Sequence, residues 1–275
     1  MRSALARALN RKAKRTIFEK APCKVPFVLL GLNLTKSDFM NPENSNPIKI
    51  IGLLQKIKVY FIRYNKKKWR IMMLKNIGMI GDSIAHGYYD EKDLGWFTRL
   101  GKIILEKHSD TYLFNNMSQS GDNIADTTNR AISETLSRHF DLILINTGIN
   151  DLRRRKNSDL QLDFSEGARI MYWNKLLDIL STTKAKIIVL DLTPVIENRY
   201  TKEASLIRYN SDVERYNQII KEICEQRNIH FFARYDKWKN RDLSVLYKDA
   251  IHPNSEGHQI IAEEVYDYLK QKSFL

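Results

Sequence analysis

The chain has only two cysteines among its 275 residues, Cys23 and Cys224. That is too few for the several bridges that hold small secreted domains together, so nothing in it demands an oxidising compartment. It also lacks any uninterrupted apolar run of the ~18 residues that a transmembrane helix needs. Internal repeats and low-complexity tracts are absent as well. Hydrophobic residues make up 43% and charged residues 28%, which excludes a mainly disordered or a collagen-like chain. What is left is a soluble protein, expected in the cytoplasm, long enough for one large domain or two small ones with a sizeable core.

Acidic residues are scarce in one region only. Residues 1–75 hold 18 Lys and Arg against 3 Asp and Glu, whereas residues 76–275 hold 27 against 29. The net charge of +13 therefore belongs to the first quarter of the chain, which also holds Pro22, Pro26, Pro42 and Pro47. A boundary is placed at Met72 and Met73, with residues 1–72 as a basic N-terminal extension and 73–275 as the folded domain. Met1 to Phe18 contains no acid, as in a targeting segment or a binder of anionic surfaces. Val25 to Leu34 resembles the middle of a signal peptide, but Pro26, Gly31 and Asn33 interrupt it and no cleavage pattern follows, so secretion is not expected. Lys66, Lys67, Lys68, Trp69 and Arg70 could attract phosphates or acidic lipids by Coulomb attraction. Blocks of like charge are usually solvated tails, so the default is a dispensable leader with the native start at Met72 or Met73. A weak anionic-surface contact through residues 1–72 is the functional alternative.

From Lys75 onward, short apolar runs alternate with helical periodicity. Strands are expected at Asn76 to Ile80, Tyr112 to Asn115, Leu142 to Asn146, Lys186 to Leu192 and Ile229 to Ala233. Helices are expected around Leu94 to Lys107, Ile124 to Arg138 and Glu166 to Leu180, and a last one from about Ser255 that packs Ile261, Val265, Tyr268 and Leu269. Ser211 and Glu214 form a capping-box pattern ahead of a further helix carrying Tyr216, Ile219, Ile220 and Ile223. Strands separated by helices of this length imply an α/β fold: a three-layer sandwich around a five-stranded, mostly parallel sheet.

In open parallel sheets, ligands bind beyond the carboxyl ends of the strands. Four polar or glycine-bearing clusters fall there: Gly81-Asp82-Ser83, Ser120-Gly121-Asp122-Asn123, Gly148-Ile149-Asn150-Asp151 and Asp249-Ala250-Ile251-His252-Pro253. Four in phase are hard to explain as turns alone. The chemistry they could perform is acyl transfer. A serine hydroxyl is a poor nucleophile until a histidine takes its proton, and that histidine needs a carboxylate to hold its tautomer. Asp249 and His252, three residues apart, could supply both. The N–H groups of Ser83 and Gly121 and the side-chain amide of Asn150 could receive the oxyanion, with Gly121 suited because it lacks a Cβ and lets its N–H come close.

These blocks resemble those of the SGNH, or GDSL-type, serine hydrolases, which carry Ser, Gly, Asn and His in that chain order. The sequence reads G-D-S-I-A-H-G from Gly81, S-G-D-N from Ser120, G-I-N-D from Gly148 and D-A-I-H-P from Asp249, and Gly95-Trp96 with Arg99-Leu100 looks like the family's first helix. The resemblance covers Lys75 to about Leu269 and implies a flavodoxin-like fold and an esterase or lipase-like activity. It implies Ser83 as nucleophile, His252 as general base oriented by Asp249, and Ser83, Gly121 and Asn150 as oxyanion hole. The family uses no metal and no organic cofactor. One departure is Ala85, where many members carry Thr; it touches no catalytic role.

Other residues have blander readings. His86 is expected to line a substrate pocket, and Tyr88 and Tyr89 either line an acyl or sugar pocket or simply cover the sheet edge. His108, His139, His230 and His258 read as helix-end, strand or surface histidines. Asp82 and Asp151 are expected to brace turns through backbone N–H groups. Arg153, Arg154, Arg155 and Lys156 read as a solvated loop, with Arg153 as a candidate contact for a substrate's anionic group. Trp173, Trp238 and Cys224 read as core, and 153–166 and 197–210 as specificity loops. Two rivals come from other classes. A two-metal phosphoesterase would need further His and Asp ligands at the strand ends. A nucleic-acid or anionic-surface binder acting through the leader would lose binding steeply with salt.

Overall fold

The computed structural model describes residues 59–63, 69–108, 111–155, 161–162, 164–197, 199 and 206–275. The anionic-surface contact expected of residues 1–72, Cys23 and Lys156 therefore lie wholly or mostly outside the described residues. Strand β1 (Val59–Arg63) pairs antiparallel with the first residues of β2 (Trp69–Gly81), so β2 starts earlier than its apolar run suggests. After β2 the chain alternates: α1 (Ser83–His86), α2 (Trp96–Lys107), β3 (Thr111–Asn116), α3 (Ile124–Thr135) and β4 (Leu142–Asn146). A 3-10 turn (Ile149–Leu152) leads to the two-residue β5 (Arg154–Arg155) and then α4 (Glu166–Ser181), β6 (Lys186–Leu190) and β7 (Leu206–Ile207). The chain ends with α5 (Asn210–Gln226), β8 (His230–Phe232), α6 (Tyr235–Lys239), α7 (Leu243–Leu246) and α8 (Ser255–Gln271).

The central sheet runs β3-β2-β4-β6-β8, all parallel. With β1 added antiparallel to the first residues of β2, this is the doubly wound order in which the parallel strands start mid-sheet at β2 and the order reverses beside it. The continuous apolar runs of β4 and β6 follow from cover on both faces. Along β4, Leu142 and Leu144 join one core with Ile188 and Leu190, packed against Trp96, Leu100 and Ile104 of α2 and Ile261, Val265 and Leu269 of α8. Ile143 and Ile145 face the other way, with Ile187 and Val189, against Trp173, Leu176 and Leu180 of α4 and Tyr216, Ile220 and Cys224 of α5. The three layers, and the burial of Trp173, Trp238 and Cys224, are as expected.

Two local expectations fail. Ser211 and Glu214 form no capping box, because α5 begins at Asn210, with Ser211 already inside it. The Asn210 amide is drawn off to the backbone of Val195, and the Glu214 carboxylate pairs with Lys239 at 2.6 Å. The reciprocal capping box lies instead at Asn123 and Asp126, at the start of α3. Arg154 and Arg155 are not a solvated loop either. They pair antiparallel with Leu206 and Ile207, and Arg154 makes a two-pronged contact with Asp212 at 2.7 and 2.8 Å. The two stretches expected as separate specificity loops are thus stitched together. Among the described residues, no helix is long and apolar enough to cross a membrane.

Candidate active site

The site begins where β2 stops. A Cβ on Gly81 would lie 2.1 Å from the Asn146 carbonyl oxygen and 2.7 Å from the Ala85 Cβ, so only glycine lets β2 turn this tightly beside β4. Asp82 then caps α1, its Oδ1 accepting the Ile84 N–H at 3.0 Å, and Ser83 follows as the first helical residue. The Ser83 Oγ lies 2.9 Å from His252 Nε2, and His252 Nδ1 lies 2.7 Å from Asp249 Oδ2. A carboxylate can only accept, so Nδ1 carries the proton and Nε2 presents its lone pair to the serine hydroxyl. All three residues are buried.

The Asp249 carboxylate is held from both sides. Its Oδ1 accepts the N–H groups of Ile251 and His252, each at 2.9 Å. Burial pushes its pKa upward, but the hydrogen bond from His252, with these two N–H groups, outweighs burial and holds it below the ordinary value. Upstream, the Tyr247 hydroxyl lies 2.8 Å from both Thr193 Oγ1 and the Pro194 carbonyl, which ties the Asp249 loop to the end of β6.

Gly121 and Asn150 come from the loops after β3 and β4. Gly121 has φ +90°, and an added Cβ would meet nothing within 4 Å. Backbone conformation, then, and not crowding by the protein, is what requires glycine there. Asn150 is buried, and both ends of its amide are engaged. Its Nδ2 donates to the Asp122 carbonyl at 2.9 Å, and its Oδ1 accepts from Arg208 Nη2 at 3.1 Å. One Asn150 N–H is left over for a substrate oxygen. Arg153, the candidate contact for an anionic substrate group, donates from Nη2 to the Gly121 carbonyl at 3.1 Å.

Several residues that assemble these loops escaped the sequence reading. Arg130 of α3 donates to the carbonyls of Met117 and of Gly81 (3.0 Å) and pairs with Asp122 at 2.5 Å, joining the ends of β2 and β3 to the Gly121 loop. Arg208 is the second. His258 is the third and corrects its reading as an ordinary surface or helix-end histidine: it is fully buried on α8. Its Nδ1 accepts the Trp96 N–H at 3.3 Å and its Nε2 donates to the Tyr88 carbonyl at 3.0 Å. Burial pushes its pKa down to about 4, so it stays neutral. Nearby, buried Asp90 binds Arg99 at 2.7 and 2.9 Å and also accepts from Ser255 and the Gly95 N–H.

That network places the aromatic rim. The rings of Tyr88 and Tyr89 lie 5.0 and 5.5 Å, centroid to centroid, from the His252 ring, and Tyr88 is 45% exposed, open to a substrate. His86 is exposed and hydrogen-bonded through Nδ1 to the Ser118 carbonyl at 3.0 Å, so it is not brought into the Ser83–His252–Asp249 array. A separate cavity of about 440 Å³ is lined by Asp191, Asn217, Arg234 and Tyr235, and by none of that array.

Asp82 braces its own turn as expected, whereas Asp151 ties its turn to the start of α3 and to α5, and both do so at an electrostatic cost. Asp151 accepts the Ile124 N–H at 2.8 Å and the Tyr216 hydroxyl at 2.6 Å, and Tyr216 in turn accepts from Trp173 Nε1 at 2.9 Å. Burial raises its pKa to about 6 despite these bonds. Asp82 is raised further, to about 7, chiefly by burial and with added repulsion from Asp151; its Oδ2 is buried without a hydrogen-bond partner. Among the described residues, no group of three or more His, Cys, Asp or Glu is placed to hold a metal ion, which removes support for the two-metal phosphoesterase.

Residues 79–260 match the model of the GDSL-like Lipase/Acylhydrolase family. Comparison with curated protein sequences finds no match. Among solved structures, the chain is similar to the acetyl xylan esterase AlAXEase, at 17% identity and a TM-score of 0.59, over 70% of this chain and 99% of that one. A lipase/acylhydrolase from Enterococcus faecalis matches at 17% identity and a TM-score of 0.58, over 72% and 96% of the two chains. The psychrotrophic esterase EstA from Pseudoalteromonas sp., in a structure inhibited by monoethylphosphonate, matches at 19% identity and a TM-score of 0.56, over 73% and 100%.

Proposed function

The chain belongs to the GDSL-like lipase/acylhydrolase family and is an esterase-type serine hydrolase, and from that premise we propose that Ser83, His252 and Asp249 are its catalytic triad. The observation that carries this assignment is the unbroken line of hydrogen bonds from Ser83 Oγ through the imidazole to Asp249, at 2.9 and 2.7 Å. His252 Nε2 takes the serine proton as Oγ attacks the ester carbonyl, and Asp249 stabilises the imidazolium that forms. The N–H groups of Ser83 and Gly121 and the Asn150 amide receive the negative charge developing on the carbonyl oxygen. Collapse of the tetrahedral intermediate breaks the bond to the alcohol or thiol, which leaves with the proton from His252. Water then enters by the same route in reverse, frees the acid and restores Ser83.

The substrate class we infer is a small carboxylic ester or thioester, with acetylated sugars and short acyl chains the first to test. The exposed Tyr88 ring beside His252 supports a substrate with an apolar or sugar face. A fluorophosphonate probe, followed by peptide mapping, tests the nucleophile: the label is expected on Ser83, and labelling elsewhere overturns the assignment. A chain-length series that includes acetylated sugars, run on wild type and Ser83→Ala, then ranks the substrates.

A further inference from the structure

Arg208 sits where its chemistry would bear on the oxyanion hole without touching substrate. It follows β7 directly, and β7 pairs with β5, which begins two residues after the turn that carries Asn150. This ribbon returns Arg208 to a residue 58 positions earlier in the chain. Its side chain is buried, with Nε donating to the Ile149 carbonyl at 2.8 Å and Nη2 to Asn150 Oδ1 at 3.1 Å.

From this geometry we propose that Arg208 is a positioning residue for the oxyanion hole, fixing and polarising the Asn150 amide. The proposal rests on Asn150 being an oxyanion donor. A primary amide can turn by half a revolution and present its oxygen where its nitrogen was, and an oxygen facing a forming oxyanion would repel it. Two contacts oppose this: the Asp122 carbonyl accepts only from nitrogen, and the Arg208 guanidinium donates only to oxygen. A cation on the amide oxygen also draws electron density from the nitrogen, which strengthens the remaining N–H as a donor. Arginine keeps its charge across the working pH range, so this polarisation does not titrate away.

The test is a double-mutant cycle on purified full-length protein with a chromogenic acetyl ester. Arg208→Met is expected to lower kcat by about ten- to thirtyfold, a fraction of the ~10²–10³ lost with an oxyanion donor itself, while KM changes by less than about threefold. Arg208→Lys, which can make one of the two contacts, is expected between wild type and Arg208→Met. In an Asn150→Ala background, Arg208→Met is expected to change kcat by less than about twofold, because the group through which it acts is gone. The same fold-loss in both backgrounds, or an Arg208→Met variant with wild-type kcat, overturns the proposal while leaving Asn150 as a donor. Unchanged kcat in Asn150→Ala alone overturns both. Should Arg208→Met melt below the assay temperature, Arg208→Lys in the same cycle decides, on the same criteria.

Discussion

Asp82 adjoins the nucleophile and is buried with half of its carboxylate unpaired, so replacing it by asparagine should change how stability depends on pH. The sign follows from the direction of the shift. An acid whose folded pKa is raised is better tolerated in the fold when protonated. Its contribution is therefore fully present below the unfolded pKa and is lost as pH rises through the folded one. For Asp82 those limits are 3.8 and about 7. Roughly three pKa units correspond to about 4 kcal/mol, of which about 3 kcal/mol falls between about pH 5 and pH 8. Asparagine keeps an oxygen to accept the Ile84 N–H and carries no ionisable group. Urea denaturation of wild type and Asp82→Asn across that range should show the two stabilities diverging, with the variant gaining on wild type by about 3 kcal/mol toward the alkaline end. Asp151 remains in both proteins, and because it repels Asp82, part of the divergence is the mutual repulsion of the two carboxylates. Parallel curves would refute the reasoning, because they would mean that Asp82 ionises inside the fold without penalty.

Other substitutions probe the site more directly. Ser83→Ala and His252→Ala should each lower kcat by several orders of magnitude, and both together by little more, since such residues act as one unit; independent, multiplying losses in the kinetics would contradict the triad. Asn150→Ala should cost ~10²–10³ in kcat with a nearly unchanged KM, and a loss confined to KM would remove it from the oxyanion hole. Gly121→Ala introduces no contact within 4 Å but forces a side chain onto φ +90°. It should cost about 1–2 kcal/mol of stability and also lower kcat, as its N–H shifts; a variant as stable and active as wild type would show that the loop adapts freely. Tyr216→Phe strips a hydrogen bond from Asp151 and an acceptor from Trp173. A loss of about 2–3 kcal/mol is expected, and denaturant midpoints that coincide with wild type would contradict it.

How much of this was legible beforehand depended on distance along the chain. The alternation of buried runs and helical stripes marks every strand of the parallel sheet, because β4 and β6 are covered on both faces and can hold little but aliphatic residues. The Ser, Gly and Asn clusters stand at strand ends, where a sheet of this order gathers them at one rim, and the Asp-x-x-His cluster returns to that rim only after two short helices beyond β8. Harder to read were the arginines that brace that rim. Arg130 lies on a helix and Arg208 beyond a short ribbon, and each looks like an ordinary surface charge until its partners, 49 and 58 residues away, are known. His258 misled for the same reason, since its neighbours come from α2 and the Tyr88 loop. The Ser211–Glu214 pattern failed because the helix starts one residue before Ser211 and Glu214 pairs with Lys239 on a neighbouring helix.

The pairing of β5 with β7 has a consequence for anyone who would retune this enzyme. The ribbon joins the two stretches in which selectivity was sought, and beyond it the chain runs straight into the guanidinium that grips Asn150. Grafting a foreign segment onto either side would tug on the group that stabilises the reaction's charge. Libraries built there should therefore yield slow catalysts more often than altered preferences, whereas Tyr88, held by His258 and not by this ribbon, can be varied without moving Asn150.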